Sequence, residues 1–378
     1  MTSNSSIVIF PSVFAQNKIN ALISNIKKIL KMQNQQFQKI RKDDSVIIVE
    51  ANDPVFASST INLLFGIERV AIAKQIKNEY NVLISAITKI GSNLLLKGDT
   101  FYVKVEGKSK GYLPKDIELA ATSSLIEKTT KLGVKPGTED KHDKLLYTYL
   151  TKINAYVCIF IDNGNGGIPN NYQNEKIICC IYDELSAVSC LETIKEGFEV
   201  KIIVCYHKES DLLKFVKILN ILIPRILRSK IEFEFFYVKI NDNNAQNYLT
   251  LIETVIEIMM LVAPLNQIKR LSLPLSPNIF PQSFIDRITK KVYQNNVIPH
   301  ISLSGFDKNI LNYAKELGLE KYLSQIEKLG KMKFNSNVKS KKSVHDLVEE
   351  ALKTKRVVSV VIGPNNVHNI LDSLKAEH

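Results

Sequence analysis

Apolar and polar positions alternate along this chain in two different textures. In the first third, Ile7–Phe10 is a short continuous apolar run, and Lys18–Lys31 places apolar residues at helical spacing. Ser45–Glu50 reads as a strand and Pro54–Leu64 as a helix, which makes a small α+β unit. From Gly66 to about Asp162 the pattern predicts a helix over Asn78–Ile90 and a half-buried strand of period two over Phe101–Val105. A helix over Ile117–Leu132 and a strand over Ala155–Ile161 follow. Asn163–Asn171 holds three glycines, one proline and four asparagines, the clearest loop signal in the chain.

Beyond that loop the pattern becomes a regular β-α alternation. Strands are predicted over Lys176–Tyr182, Phe198–Tyr206, Lys230–Ile240, Ile268–Leu275 and Val297–Ser304. Helices are predicted over Ser186–Glu196, Ser210–Leu227, Gln246–Val262, Pro281–Gln294 and Lys308–Leu317. Near-continuous apolar strands separated by helices imply a parallel sheet covered on both faces, and right-handed crossovers make it doubly wound. From Lys328 the chain is lysine-rich (Lys331, Lys333, Lys339, Lys341, Lys342). It closes with a helix, a strand over Arg356–Ile362 and a short helix over Val367–Leu374.

Composition sharpens this picture. The 378 residues are 45% hydrophobic, enough for two or three packed domains and unlike a disordered chain. A formal net charge of +12 suits a polyanionic partner. Lys18, Lys27, Lys28, Lys31, Lys39, Arg41 and Lys42 follow one another without an acidic residue between them, as a phosphate-facing helix and loop would require. Lys108–Ser109–Lys110–Gly111–Tyr112 is a basic loop with an aromatic.

Other classes are disfavoured. The most apolar helical stretch, Tyr248–Ile268, carries Glu253, Glu257 and Pro264 and reads as a core helix, not a membrane span. No basic stretch precedes Ile7–Phe10, so no signal peptide is expected. Cys158, Cys179, Cys180, Cys190 and Cys205 are odd in number and sit mostly in apolar runs. They suggest buried thiols in a reducing, cytoplasmic setting. The six histidines lack metal-ligand spacing, so no metal site is expected. His207 and His300 fall at carboxyl ends of predicted strands, where doubly wound sheets place ligands. Asp183 and Glu184 share that edge, as cation ligands or as the solvated start of a helix.

The order of parts resembles the tRNA 4-thiouridine synthase (thiamine-biosynthesis sulfurtransferase) family. The likeness is carried by Leu64–Ile67, by Gly98–Val105 with the loop at Lys108–Lys110, by Gly164–Pro169 and by Lys176–Val200. The third of these is similar to a GxGGxP linker, and the last matches the first strand, loop and helix of an ATP pyrophosphatase domain. The resemblance implies an α/β and α+β multidomain protein. Its parts would be a ferredoxin-like domain (1–65), a THUMP RNA-binding domain (66–165), a glycine-rich linker (166–175), a doubly wound parallel-sheet PP-loop pyrophosphatase-like domain (176–327) and a basic C-terminal extension (328–378).

The family adenylates a uridine carbonyl in tRNA and replaces it with sulfur, using an SGGxDS loop after the first strand. Small residues there let backbone N–H groups cradle pyrophosphate at a helix N-terminus. The matching stretch here puts Tyr182 for the first serine, Asp183 and Glu184 for the glycines, Ser186 for the aspartate and Ala187 for the last serine. Two carboxylates would repel a triphosphate, and lost glycines would block close backbone approach. A second family pattern, TGE…SQT, survives only at Gln282–Ser283, and no cysteine follows Cys205.

The expectation is therefore a tRNA-binding relative that holds the acceptor end without a catalytic residue or cofactor of its own. It would work beside a catalytic partner protein, as a homo- or hetero-oligomer and away from membranes. Phosphate contacts are expected from Lys27, Lys28, Lys31, Arg41, Lys104, Lys108, Lys110 and Lys115, with Tyr112 stacking on an unpaired base. Two other readings stay open on sequence: an active sulfurtransferase with a divergent site for ATP and magnesium, and an assembly protein that never meets RNA.

Overall fold

The computed structural model describes residues 5–109, 111–240, 245–305, 307–315 and 343–363, with Ile370 and Leu374. Lys110, the lysine-rich run 328–342 and most of the expected helix at 367–374 lie outside the described residues. The chain divides into two compact units, Met1–Pro169 and Asn170–His378.

The first unit contains β1 (Ser6–Pro11), α1 (Ile19–Met32), β2 (Phe37–Asp43), β3 (Val46–Ala51), α2 (Pro54–Ile61) and β4 (Ile67–Lys77). It continues with α3 (Tyr80–Leu94), β5 (Thr100–Gly107), α4 (Pro114–Lys128), β6 (Lys135–Pro136), β7 (Lys144–Leu150) and β8 (Asn154–Gly166). All eight strands form one sheet in the order β2-β3-β1-β4-β8-β7-β5-β6. The segments read as 1–65 and 66–165 are thus joined through the antiparallel pair β1–β4, which runs from Ser6↔Ala73 to Pro11↔Ile67.

Local chemistry explains the elements. On α1, Ile19, Leu22, Ile26, Ile29 and Leu30 recur at helical spacing and are buried, leaving the lysines outside. Asp53 caps α2, accepting the Val55 and Phe56 N–H groups at 3.0 and 3.1 Å, with Pro54 at the first helical position. On β5, Phe101, Val103 and Val105 point to a core shared with Leu83 and Ile87 of α3 and Ile117, Ala121 and Leu125 of α4. Tyr102, Lys104 and Glu106 face the other way.

A second core lies among Val8, Phe10, Val46, Ile48, Ala71, Ala73, Tyr147, Tyr156 and Cys158. The sheet curls to close it. Ser45, at the β2–β3 turn, meets the Tyr149 hydroxyl on β7 at 2.6 Å. Asp43 accepts from Asn154 (2.9 Å) and Tyr156 (2.5 Å) of β8, and Asp44 accepts the Lys152 N–H at 2.8 Å. From β3 to β7 is four steps in the sheet order, roughly 19 Å if the sheet were flat. Strand twist and coiling supply the missing approach.

Several sequence expectations change here. The strands β2, β4, β6 and β7 are additions to those that the periodicity predicts. Lys39, Arg41 and Lys42 lie on the edge strand β2, where charged residues are tolerated, and not on a loop. The loop expected at 163–171 begins later, because Asn163 and Gly166 still pair with Arg69 and Ile67.

The second unit contains β9 (Lys176–Ile181), α5 (Glu184–Lys195), β10 (Glu199–Tyr206), α6 (Glu209–Leu222), β11 (Lys230–Tyr237) and α7 (Ala245–Leu265). After these come β12 (Arg270–Ser272), α8 (Gln282–Gln294), β13 (Ile298–His300), α9 (Lys308–Ala314), α10 (Val344–Lys353) and β14 (Arg356–Val361). The strand order is β13-β12-β9-β10-β11-β14. β9 pairs in parallel with β10 and β12, β10 with β11, and β12 with β13, as the apolar runs predicted. β14 adds an antiparallel edge to β11, so the strand of the C-terminal extension belongs to this sheet. By length and composition α7 could cross a membrane, yet most of it is buried within the unit. All five cysteines are free and buried.

Candidate functional site

The basic surface of the first unit separates into two populations. Lys27, Lys28 and Lys31 project from the outer face of α1, and Lys39 and Lys42 from β2, all exposed. Lys108 is exposed at the end of β5. These ammonium groups are available to an outside anion.

Among the described residues, the other predicted cations, Arg41, Lys104 and Lys115, have carboxylate partners within the unit. Arg41 approaches Asp43 at 3.5 Å and Glu50 at 3.7 Å, and donates to Gln75 at 2.7 Å and the Tyr156 hydroxyl at 3.4 Å. It stitches β2 to β4 and β8 across the curl. Lys104 bridges Glu139 (2.5 Å) and Glu106 (3.2 Å), contacts that raise its pKa above the ordinary lysine value. Glu106 also accepts from Tyr147 (2.6 Å) and Arg69 (3.3 Å). Burial works against its ionisation, but these partners outweigh it and its pKa falls. Lys115 pairs with Glu118 at 2.8 Å, and the second oxygen of Glu118 accepts the Val105 N–H at 2.9 Å.

Tyr112 is likewise fixed. Its hydroxyl donates to Asn78 Oδ1, and burial raises its pKa. Asn78 Nδ2 in turn donates to the Lys108 and Thr151 carbonyls at 3.0 and 2.6 Å. The ring packs edge-on against Tyr80, with centroids 5.7 Å apart. Asn78 is the residue that sequence reasoning missed, since a single asparagine before a helix carries no signal beyond a turn.

Two of the family-like stretches meet in space. The Gly66 N–H donates to the Gly166 carbonyl at 2.6 Å. Gly66 has a φ of +88°, and a Cβ there would lie 3.0 Å from Pro169. A Cβ at Gly164 would lie 2.3 Å from the Ile67 carbonyl oxygen. Close backbone approach therefore dictates glycine at both places.

In the second unit the turn after β9 closes on itself. The Asp183 carboxylate accepts the Ser186 N–H at 2.7 Å, while Ser186 Oγ accepts the Tyr182 and Asp183 N–H groups, both at 3.0 Å. This is a reciprocal capping arrangement that satisfies the first turn of α5 from within. Tyr248 of α7 donates to the other Asp183 oxygen. Glu184 pairs with Lys214 of α6 at 3.1 Å. Tyr182, Asp183, Glu184, Ser186 and Ala187 are all buried. The sequence expectation of a solvated helix start is corrected: burial raises the pKa of both Asp183 and Glu184, and neighbouring Asp183 raises that of Glu184 further. Nothing in the sequence announced Tyr248 or Lys214 as partners, because both arrive from distant helices.

The histidine candidates are also engaged. His207 Nε2 lies 3.5 Å from Asp211, one turn into α6. His300 ends β13, but its Nε2 is 2.5 Å from Glu196, at the C-terminal cap of α5, and its ring packs on Phe198. Ser272, in the place of the second family pattern, joins a buried hydroxyl cluster with Thr193 (2.7 Å) and Ser189 (3.2 Å), and Ser189 reaches Ser302 (2.8 Å). Gln282, from the same pattern, donates to Asp286 at 2.7 Å on the exposed side of α8.

Comparison with known proteins gives no match to any family model and none to a curated protein sequence. Solved structures do match. The chain is similar to a 4-thiouridine synthetase in a complex with RNA and bound ATP, at TM-score 0.66 and 15% identity, covering 94% of this chain and 99% of that one. It is similar to PH1313 from Pyrococcus horikoshii at TM-score 0.62 and 16% identity, covering 83% and 99%. The curled sheet followed by a doubly wound parallel sheet is thus a known multidomain α/β arrangement, and this chain has the fold of those structures.

Proposed function

We propose that this chain is a tRNA-binding protein built on the 4-thiouridine synthetase fold, without adenylation or sulfur-transfer chemistry of its own. The observation that carries the second half is the position of the Asp183 carboxylate. It takes the Ser186 N–H at the N-terminus of α5, which is where a phosphate would bind in a PP-loop. A buried carboxylate there replaces the external anion, and Glu184 beside it adds like charge.

Support for RNA comes from the fold likeness to a synthetase–RNA complex and from the unpaired lysines of the first unit. Lys27, Lys28, Lys31 and Lys108 would track phosphates, since A-form RNA is read mostly through shape and backbone. Tyr112 and Tyr80 line an open recess of about 550 Å³ with Asp116, Leu119 and Ser123, and an unpaired base would stack there. Such a protein would present tRNA to a catalytic partner in the cytoplasm.

Calorimetry with ATP and magnesium, with and without tRNA, tests the reading. We expect tRNA to bind and ATP to give no heat up to millimolar concentration. Saturable ATP binding would replace the proposal with an active enzyme using a divergent site. Absence of tRNA binding at low salt would remove the RNA half.

A further inference from the structure

The amino-terminal edge of the second unit's sheet holds a charged cleft that nothing above assigns. It encloses about 220 Å³ and is lined by Lys176, Glu199, Lys201, Arg228, Lys230 and Glu232, over an apolar floor that includes Ile231 and Ile268. Lys176 and Lys230 are the first residues of β9 and β11, Lys201 is the third of β10, and Arg228 comes from the loop before β11. Adjacent parallel strands thus each deliver a cation to one edge.

The carboxylates do not match this charge. Buried Glu234 holds both Lys201 (2.7 Å) and Lys355 (2.9 Å). Glu199 is closely engaged by Arg228 and also lies 3.9 Å from Lys176, while Glu232 lies 3.9 Å from Lys230. Lys176, Lys201, Arg228, Lys230 and Lys355 against Glu199, Glu232 and Glu234 is five cations to three anions, a surplus of two. At 3.9 Å the Lys176 and Lys230 ammonium groups are beyond hydrogen-bond length from their carboxylates, so their protons are open to another acceptor.

We infer that this cleft binds a phosphate or pyrophosphate group, through Lys176 and Lys230 with Arg228 and Lys201 behind them. Its place opposite the carboxyl ends of the strands separates it from the turn at Asp183, and it does not depend on the RNA reading. The same chemistry could be offered by a small phosphate compound or by an RNA phosphate.

The test is calorimetry of the full chain with inorganic pyrophosphate at low salt. The variants are the double Lys176→Gln, Lys230→Gln, its counterpart Lys176→Arg, Lys230→Arg, and Lys217→Gln on the exposed side of α6 as control. We expect saturable binding, weakened about tenfold or more in the glutamine double, retained in the arginine double and the control, with all four proteins melting alike. Displacement of pyrophosphate by a 5′-phosphorylated oligoribonucleotide would uphold the site as one for RNA phosphate. Failure to displace would uphold it as one for a small phosphate compound. Absence of saturation at millimolar pyrophosphate, or equal binding by the glutamine double, would overturn the inference.

Discussion

Tyr248 donates its phenol to the carboxylate of Asp183, two buried side chains 65 residues apart in the chain. The contact ties the first turns of α7 to the cap of α5. It also supplies one of the few hydrogen bonds that a carboxylate needs when it is taken out of water. Glu184 beside it follows the same logic, with its partner Lys214 brought by α6.

Tyr248→Phe removes that donor and leaves the Asp183 oxygen unsatisfied. We expect a loss of about 1–3 kcal/mol in stability, read from the urea midpoint, with tRNA affinity unchanged. An unaltered midpoint would show that the bond contributes nothing.

Glu184 gives a pH signature. Burial raises its pKa above the ordinary 4.5, so the folded state holds its proton where the unfolded chain has lost it. Its contribution to stability therefore falls as pH rises from below 4.5 through the raised value. Glu184→Gln lacks this fall, so the stability of the variant relative to the parent should climb with pH across that window. Urea unfolding at a series of pH values checks it, and a flat difference would contradict the assignment.

Glu234 behaves in the opposite sense. Burial disfavours its charge, but Lys201 and Lys355 outweigh burial and hold its pKa below the ordinary value. Its stabilisation is present above the unfolded pKa and is lost on acidification. We expect Glu234→Gln to destabilise the protein at neutral pH and to matter progressively less as pH falls through the carboxylate range, measured by thermal melts.

The lysine populations of the first unit separate by salt dependence. Replacing Lys27, Lys28, Lys31 or Lys108 with glutamine should reduce the slope of log affinity for tRNA against log salt by about 0.7–0.9 per residue. Lys104→Gln should leave that slope unchanged and cost stability only up to about 1 kcal/mol. Filter binding across a salt series reads the first and chemical denaturation the second. Equal slopes for all five variants would remove the distinction.

Arg41→Gln should act on the curl. Its contacts with Gln75 of β4 and Tyr156 of β8 span strands that a flat sheet would separate. We expect a loss of about 1–3 kcal/mol, with faster hydrogen exchange in β2 as the local readout.

Much of this was legible in the sequence where one element decides its own form. The spacing of Ile19, Leu22, Ile26 and Leu30 makes α1, and the unbroken apolar residues of β9 make a central parallel strand, wherever else the chain goes. The edge strand β2 was not legible, because lysines suit an edge whose outer side meets water. Nor was β4, whose alanines and charges give no clean period.

By itself, the sequence determined the two textures, the glycine-rich run between them and the replacement of small residues by Asp183 and Glu184. Only the tertiary structure decided what those residues do. Pairing of Gly66 with Gly166, the curl that commits Arg41, and the arrival of Tyr248 and Lys214 over Asp183 and Glu184 all join distant segments. A carboxylate's partner, and hence its charge and its availability to a ligand, is set by three-dimensional distance, and local periodicity carries no record of that.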